Sequence, residues 1–288
     1  MAENLRTLRR KRLIVGEIRQ ITRAMKLVSA VKLKRAMAAR EHTDFFASQL
    51  SDAVAIAASE VGPEPEHPYL VGRPVRQVGL LVVAGDKGLC GAFNSNIIAR
   101  ARQFAGAQQV DVLTYTVGGR AAEMSRRARL RVQGQFAAIS DKLRGQDAQQ
   151  IAAYLLRLCD TGELDELHMC YARFVSRMTQ EPEVVQLLPV QIGPRPGDAA
   201  GQYLFEPPPR RLLGDLLPML VRAQIHHLLV ETAASEHSAR LTAMTAATDN
   251  AEEMIEGLTR QINRARQAQI TRELLDVVSG ADALQSQA

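Results

Sequence analysis

Hydrophobic residues near the N-terminus recur at alternating intervals of four and three. They are Ile14, Ile18, Ile21, Met25 and Val28, and basic residues lie between them. This spacing places the apolar side chains on one seam of a helix, with the geometry of a coiled coil. Proline is absent before position 63. The sequence therefore predicts one long helix from about residue 4 to residue 60, and the range 1–60 is expected to form an N-terminal helical domain.

Short apolar runs alternate with helical stretches in the range 75–192, which is expected to form a globular domain. Strands are predicted at 78–83, 110–117, 166–174 and 183–190, and helices at 94–105, 120–127 and 146–159. Strands that alternate with helices indicate a mostly parallel sheet, so this part is predicted to be a small Rossmann-like α/β domain. The proline-rich range 193–209 is predicted to be a loop.

Helical character returns after residue 209 and defines a third expected domain, 210–280. Pro218 is expected to kink the start of this helix. Its seam is formed by Ile255, Leu258, Ile262 and Ala265 and then, one step round the helix, by Ile270, Leu274 and Val277. Two helices of this length bury their seams most simply against each other. The predicted fold class is therefore α/β, with a long antiparallel coiled coil of the N- and C-terminal helices.

Composition and charge narrow the possible functions. Of the 288 residues, 46% are hydrophobic and the mean hydropathy is −0.12. No run approaches the roughly 18 apolar residues of a membrane helix, which excludes a transmembrane pore and direct membrane insertion. Residues 1–40 carry twelve Lys and Arg but only two acidic residues. Such a basic end predicts an anionic partner, namely nucleic acid, an acidic membrane surface or an acidic protein cavity.

Cys90, Cys159 and Cys170 are the only cysteines, and no two of them have the C-x-x-C spacing. Three free thiols in a reducing compartment are expected, without a disulfide or zinc framework. The charged N-terminus has no apolar segment of the kind found in secretory signals. These features favour the bacterial cytoplasm.

A glycine-rich loop, residues 85–91, follows the first predicted strand and precedes a helix, where a nucleotide-binding loop would lie. Neither G-x-G-x-x-G nor a Gly-Lys-Ser/Thr sequence is present. A tight turn that needs glycine at positive φ is therefore the preferred interpretation, and no cofactor is expected.

The histidines of the last helix, His226, His227 and His237, do not have the i, i+4 spacing of metal ligands. We interpret them as surface or seam residues, and no catalytic motif is recognisable. A dense polar set comprises Arg260, Arg264, Arg266, Gln267, Thr271, Arg272 and Glu273. It has two interpretations, a solvated helix face or a partner-binding surface in which Arg266 suits bidentate contacts with a carboxylate.

Several motifs carry a family resemblance. They are residues 20–28 (QITRAMKLV) with 32–35 (KLKR), 86–96 (DKGLCGAFNSN), 243–251 (AMTAATDNA), 263–274 (NRARQAQITREL) and 278–281 (VSGA). In this order they resemble the γ subunit of F-type ATP synthases, and the likeness is collinear over nearly the whole chain.

The resemblance implies a central rotor shaft that couples the rotation of a membrane ring, driven by proton or Na⁺ flow, to conformational changes at catalytic sites. The shaft would lie inside a ring of three α and three β subunits, and its foot would touch the ε subunit and the membrane c ring. Such a subunit is not an enzyme by itself and binds no cofactor. It would lie peripherally on the cytoplasmic face of a bacterial inner membrane.

The resemblance also implies partner-binding residues at matching positions. Those facing the acidic loops of the β subunits would be Arg23, Met25, Lys26, Arg240, Arg266, Gln267, Thr271 and Glu273. Tyr203 and Glu206 match a motif at the foot, and would lie near the c ring or the ε subunit.

One segment departs from the family pattern. Residues 14–19 read IVGEIR, and Gly16 would loosen a helix by about 1 kcal/mol relative to alanine. This difference, together with the basic residues of the N-terminal helix, is compatible with a divergent, second-copy form coupled to Na⁺. Without the resemblance, the alternatives are a basic coiled-coil protein that binds nucleic acid and a nucleotide-using enzyme of the middle domain. The second alternative predicts measurable nucleotide binding that is lost on Gly88→Val.

Overall fold

The computed structural model describes residues 5–61, 67–137, 145–193 and 203–285. Residue 4, where the first helix was predicted to begin, and most of the predicted 193–209 loop lie outside these ranges. The chain divides into two compact units. The larger unit is Ser29–Thr242, and the smaller combines Met1–Val28 with Ala243–Ala288.

The two longest elements are the N- and C-terminal helices, as the sequence predicted. Helix α1 is Leu5–Val61 and has 57 residues. Helix α5 is Pro209–Gln285 and has 77 residues. Helix α5 contains Pro218 and is continuous through it. Because proline has no backbone N–H, Pro218 removes the helical hydrogen bond to the carbonyl of Gly214. The kink expected at this point stays a prediction.

The larger unit contains a five-stranded sheet with three shorter helices. The elements are β1 (Gln77–Val83), α2 (Phe93–Ala107), β2 (Asp111–Val117), α3 (Gly119–Arg127), β3 (Arg131–Phe136), α4 (Gly145–Asp160), β4 (Glu166–Phe174) and β5 (Gln180–Leu188). The strand order is β3-β2-β1-β4-β5. Strands β1 to β4 pair in parallel, while β4 and β5 form an antiparallel hairpin. The sheet is thus mostly parallel, as predicted.

Strand β3 was absent from the sequence prediction. It reads RVQGQF and alternates between exposed and half-buried residues, because it forms one edge of the sheet. Its polar composition gives no continuous apolar run of the kind that marks the interior strands. Strand β5 begins at Gln180, three residues earlier than predicted, and includes Pro182, which is tolerated because β5 is the other edge.

The core lies on both faces of the sheet. Leu81 and Val83 of β1 face a large apolar cluster shared with α1, α4 and α5. Leu80 and Val82, with the opposite orientation, pack on α2 and α3. Side chains alternate between the faces of a strand, so a continuous apolar run such as that of β1 indicates burial on both sides.

Helices α1 and α5 run antiparallel within the larger unit. Ala36 lies in one small apolar cluster with Ala234. Further along α1, Thr43 Oγ1 lies 3.2 Å from His227 Nδ1. Residues further along α1 therefore contact residues that come earlier in α5, so the two helices are antiparallel.

The buried seam of α1 in the smaller unit differs from the predicted one. Leu8, Val15 and Thr22, spaced seven apart, are buried, and Thr248 donates a 2.9 Å hydrogen bond to Thr22 Oγ1. In contrast, Ile14, Ile18, Ile21 and Val28 are 45–60% exposed, and Met25 is half-buried. The prediction followed the most hydrophobic residues, whereas the helix packs along a heptad stripe that includes a threonine.

The seam of α5 in the smaller unit is partly as predicted. Ile262 is buried, and Ile255, Leu258 and Ala265 are half-buried. The predicted continuation through Ile270, Leu274 and Val277 is wrong, because these side chains are 44%, 62% and 70% exposed. Every residue in the range 266–279 is exposed. All faces of this part of α5 are therefore exposed to solvent in the isolated chain.

Candidate functional site

The carboxyl ends of β1 and β4 enclose the place where α/β sheets of this kind usually bind ligands. From β1 the chain passes through α2 to β2 on one side, whereas β4 lies on the other side of β1. Ligands bind at such a reversal of strand order because the loops on either side diverge and leave a crevice. The sequence places its glycine-rich loop directly after β1, at this crevice.

Helix α5 occupies this crevice. Ser235 donates a 2.9 Å hydrogen bond from its hydroxyl to the carbonyl of Ala172 in β4. The Glu231 carboxylate accepts a 3.2 Å hydrogen bond from the backbone N–H of Phe174, the last residue of β4. Residues 228–238 of α5 are all buried. The Ala172 carbonyl and the Phe174 N–H are thus bonded to side chains of α5.

A buried ion pair fixes the glycine-rich loop to α5. Arg240 Nη2 donates a 2.6 Å hydrogen bond to Glu236 Oε1, and the two side chains are 9% and 4% exposed. The Arg240 guanidinium also approaches the carbonyl oxygens of Lys87 and Gly88 at 3.4–3.5 Å. A pair with little access to water is favourable only when its remaining donors are also satisfied, and these carbonyls meet that need.

The glycine-rich loop forms the tight turn that the sequence predicted. Gly91 has φ +60°, and Leu89 also adopts a positive φ of 63°. The backbone N–H of Gly85 donates a 2.8 Å hydrogen bond to Asn94 Oδ1. Because this N–H is paired and the nearby carbonyls face Arg240, the geometry does not resemble a phosphate-binding loop, which presents free N–H groups to the ligand.

The histidines of α5 lie in three different environments. His227 contacts Thr43 and approaches Asp44 Oδ1 at 3.5 Å. His226 has a buried Nε2 atom that has no hydrogen-bond partner, and burial lowers the pKa of its imidazole. His237 is 1% exposed. Within the ranges that the structure describes, no group of three or more His, Cys, Asp or Glu residues could hold a metal ion.

The cysteines are buried and unpaired. Cys159 lies in the larger apolar cluster, while Cys90 and Cys170 lie in the cluster on the other face of the sheet. Burial raises the pKa of Cys159 and of Cys170 to about 12. Because a thiol reacts as its thiolate, both side chains are poorly suited to nucleophilic chemistry near neutral pH.

The smaller unit contains seven of the residues that the resemblance assigned to partner binding. Arg23 is exposed, and Met25 and Lys26 are half-buried on α1. Exposed positions are also occupied by Arg266, Gln267, Thr271 and Glu273 on α5. Thr22 pairs with Thr248, and Arg266 follows Thr248 in α5 by five turns, roughly 27 Å along the helix axis. The structure therefore places these residues at two separate levels.

The other three assigned residues lie in the larger unit. Tyr203 is 52% exposed, and Glu206 is also exposed. Between them, Leu204 is 95% exposed, while Phe205 packs partly against the large apolar cluster. Arg240, in contrast, is 7% exposed and is bonded within the chain. Arg240 is thus less accessible than the other assigned residues.

Sequence reasoning missed the buried polar residues of α5, above all Glu231, Ser235 and Glu236. They belong to the segment ETAASEHSAR, residues 231–240, which has almost no large apolar side chains although it lies inside a helix. A helical segment of small and polar residues indicates close packing against backbone. The composition of residues 231–240 could therefore have indicated this buried polar segment from the sequence alone.

No helix within the described ranges has the length and hydrophobicity required to cross a bilayer.

Comparisons with known proteins agree with the fold and with the motif order. The ATP synthase family model matches residues 4–284. The ATP synthase gamma chain of Pelotomaculum thermopropionicum is 39% identical over 98% of this chain and 99% of the relative, and that of Anaeromyxobacter sp. (strain Fw109-5) is 41% identical with the same coverage. In a mitochondrial ATP synthase structure from Euglena gracilis (OSCP, F1 and c-ring), one chain aligns with a TM-score of 0.68 at 18% identity, covering 98% of this chain and 95% of its own length. The chain belongs to the gamma-chain family of F-type ATP synthases.

Proposed function

We infer that this chain is the central rotor shaft of an F-type ATP synthase. It couples rotation of a membrane ring to conformational changes at the catalytic β subunits and performs no bond chemistry itself. The observation that carries this inference is the family match, which extends over residues 4–284 and includes both long helices. The nucleic-acid alternative has no support among the relatives described above.

The uncovered apolar side chains of the smaller unit support a surrounding partner. On α1, Leu13 and Ile21 are 64% and 60% exposed, and on α5 Leu274 and Val277 are exposed to a similar degree. Large exposed apolar patches are rare on monomeric proteins and usually mark interaction surfaces. A sleeve formed by three α and three β subunits would cover these faces on every side.

The charge of the shaft fits the same arrangement. The basic residues of the first 40 positions would face acidic loops of the β subunits. Arg23 and Lys26, beside Met25, would contact these loops at one level. Arg266, Gln267, Thr271 and Glu273 would contact the head at a second level, nearer the end of α5. Contacts of this polar kind can break and re-form as the shaft turns.

The mechanism follows from asymmetry. A shaft whose sides differ contacts three chemically identical catalytic sites differently, so each rotational position stabilises one set of open and closed sites. Because a partner shifts a conformational equilibrium only by its differential affinity for the two states, rotation changes nucleotide affinity through these contacts. Arg240 would act mainly from within the chain, where it holds the glycine-rich loop, and would reach a β subunit only by the edge of its guanidinium.

The larger unit would contact the rotor ring. The exposed Tyr203, Leu204 and Glu206 lie together in sequence before α5 and would bind the c ring or the ε subunit. The protein would thus be held peripherally at the cytoplasmic face of a bacterial inner membrane. The transported ion is chosen by other subunits, and a Na⁺-coupled second copy of the enzyme is compatible with this role.

The test is recovery of the tagged chain from its native cells, followed by mass spectrometry of the intact complex. We expect one copy for every three α and three β subunits, together with the ε subunit. Recovery of the chain alone, or with nucleic acid, would overturn the inference and favour the basic coiled-coil alternative. A high-salt wash separates the two cases further, because phosphate contacts weaken steeply with salt.

A further inference from the structure

Apolar contact is thin where α1, α5 and the end of β4 meet. Only Leu33, Ala36 and Ala234 form the buried cluster at this place, with Phe174 partly buried against them. Two of the three are alanines, which bury little area. Since apolar stabilisation scales with buried area, this junction depends more on its polar contacts than does the core beneath the sheet.

One carboxylate connects all three elements at this junction. Glu231, on α5, is 4% exposed. Its Oε1 atom lies 3.2 Å from Arg40 Nη2 on α1 and accepts the 3.2 Å hydrogen bond from the N–H of Phe174 at the end of β4.

Arg40 is held in turn by the same neighbours. Its guanidinium carbon lies 6.0 Å from the centre of the Phe174 ring, within the range of a cation–π contact. Its Nε atom is buried and has no hydrogen-bond partner. The ion pair with Glu231 is therefore the main polar contact of this guanidinium. Charge-assisted contacts of this kind, largely shielded from water, are stronger than neutral ones.

We propose that Glu231 and Arg40 form the positioning pair that fastens the two long helices to the sheet and sets the torsional stiffness of the junction. The proposal rests on the rotor function, because torque that enters at the foot reaches the helices through their contacts with the sheet, and this junction is one of those contacts. The small apolar cluster would permit the helices to twist against β4. The bridging carboxylate opposes that twist because it is bonded on both sides.

The test measures torsional stiffness in the assembled complex of this chain with its α and β subunits. The complex is immobilised by its catalytic head, and a gold rod is attached to the foot through Leu204→Cys, a position that is 95% exposed. The angular variance of the rod during pauses is inversely related to stiffness. Glu231→Gln keeps an oxygen for the Phe174 N–H but removes the charge. We expect a larger variance, that is, a loss of stiffness.

Arg40→Gln removes the other partner and should also raise the variance. The double variant should be no looser than the looser single variant, because both changes break one link. Arg40→Lys keeps the charge and should restore part of the stiffness. The matched control is Glu181→Gln, which removes a half-exposed carboxylate paired with Arg173 on the β4–β5 hairpin, and should leave the variance unchanged.

The outcomes separate this inference from the rotor function. If the unaltered chain forms no complex with α and β subunits, the rotor function itself fails. If the complexes form and both charge-removing variants show the unaltered variance, only the fastening role of Glu231 and Arg40 is overturned. A lower assembly yield with unchanged variance also overturns it, since a merely stabilising pair would behave in that way. If Glu231→Gln does not assemble, Arg40→Gln decides, because the Arg40 side chain is 28% exposed and its replacement is milder.

Discussion

Arg240 and Glu236 lie one turn apart in α5 and form a 2.6 Å ion pair that is almost closed to water. The pair does more than connect two turns of a helix, because the same guanidinium approaches the carbonyls of Lys87 and Gly88 in the loop after β1. The loop and the helix are thereby held at a fixed distance.

Removal of one member of this pair should destabilise the larger unit strongly. Arg240→Ala leaves the Glu236 carboxylate buried without its partner, which typically costs about 3–5 kcal/mol in the free energy of unfolding. Urea unfolding of the purified chain, followed by circular dichroism, measures the loss. Arg173→Ala is the control, because Arg173 pairs with Glu181 in the open, at 51% and 50% exposure, and should cause no measurable shift. Equal midpoints for the two variants would contradict the expectation.

Two glycines of the same loop should respond differently to alanine. A Cβ on Gly85 would lie 2.9 Å from the Glu236 carboxyl group, which is itself held by Arg240. We expect Gly85→Ala to cost about 1–3 kcal/mol in the free energy of unfolding, as overpacked sites do. A Cβ on Gly88 would meet no atom within 4 Å. Thermal unfolding of both variants checks this contrast, and a Gly88→Ala variant as unstable as Gly85→Ala would refute it.

Stability should fall as the pH drops below about 6.5 because of His226. Burial, and to a lesser degree the neighbouring His227, lowers the pKa of His226 from 6.5. The unfolded chain then binds the proton more readily than the folded one, so the stabilisation is fully present above pH 6.5 and is lost as the pH falls through the folded pKa.

Urea midpoints at pH 7.5 and 5.5 measure this loss. His226→Gln should show a smaller decrease between the two values than the unaltered chain. His42→Gln replaces an exposed histidine and should keep the full decrease. An unaltered decrease in His226→Gln would mean that other groups are responsible.

Substitutions on the exposed end of α5 should impair function and leave folding intact. Arg266→Ala and Gln267→Ala remove side chains from a range in which every residue is exposed. We therefore expect unchanged thermal unfolding of the chain, with lower complex yield or less ion pumping for each ATP hydrolysed. Arg102→Ala, an exposed arginine on α2, is the control for loss of a positive charge. Unchanged pumping and complex yield in both α5 variants would remove these residues from the proposed contact surface.

Hydrophobic periodicity predicted the architecture but not the packing faces. The long helices and the interior strands have strong patterns, and β1 in particular is a continuous apolar run. Strand β3 was not predicted because its position at the edge of the sheet permits polar residues such as Gln133. The seam of α1 was assigned to the wrong residues for a different reason. The most apolar positions, such as Ile18, face outward, whereas Thr22 faces the partner helix. A residue pattern reports burial in the complete assembly, so a single chain cannot distinguish a face that packs internally from one that a partner covers.

The candidate site was predictable only where it was exposed. The motifs located Arg266 and its neighbours on the surface, but they gave no indication that Arg240 is buried in the larger unit. The junction formed by Glu231 could not be predicted from the sequence either, because its partners Arg40 and Phe174 are far away along the chain. Such contacts depend on the register between two helices and on where a strand ends.

The crevice at the strand ends has a further consequence. In most α/β proteins a guest enters this cleft from solution, and its occupancy depends on concentration. Here the crevice is occupied by a segment of α5 in the same chain, so its occupancy does not depend on the concentration of a ligand. A small molecule could therefore bind at these strand ends only if this buried part of α5 were first displaced.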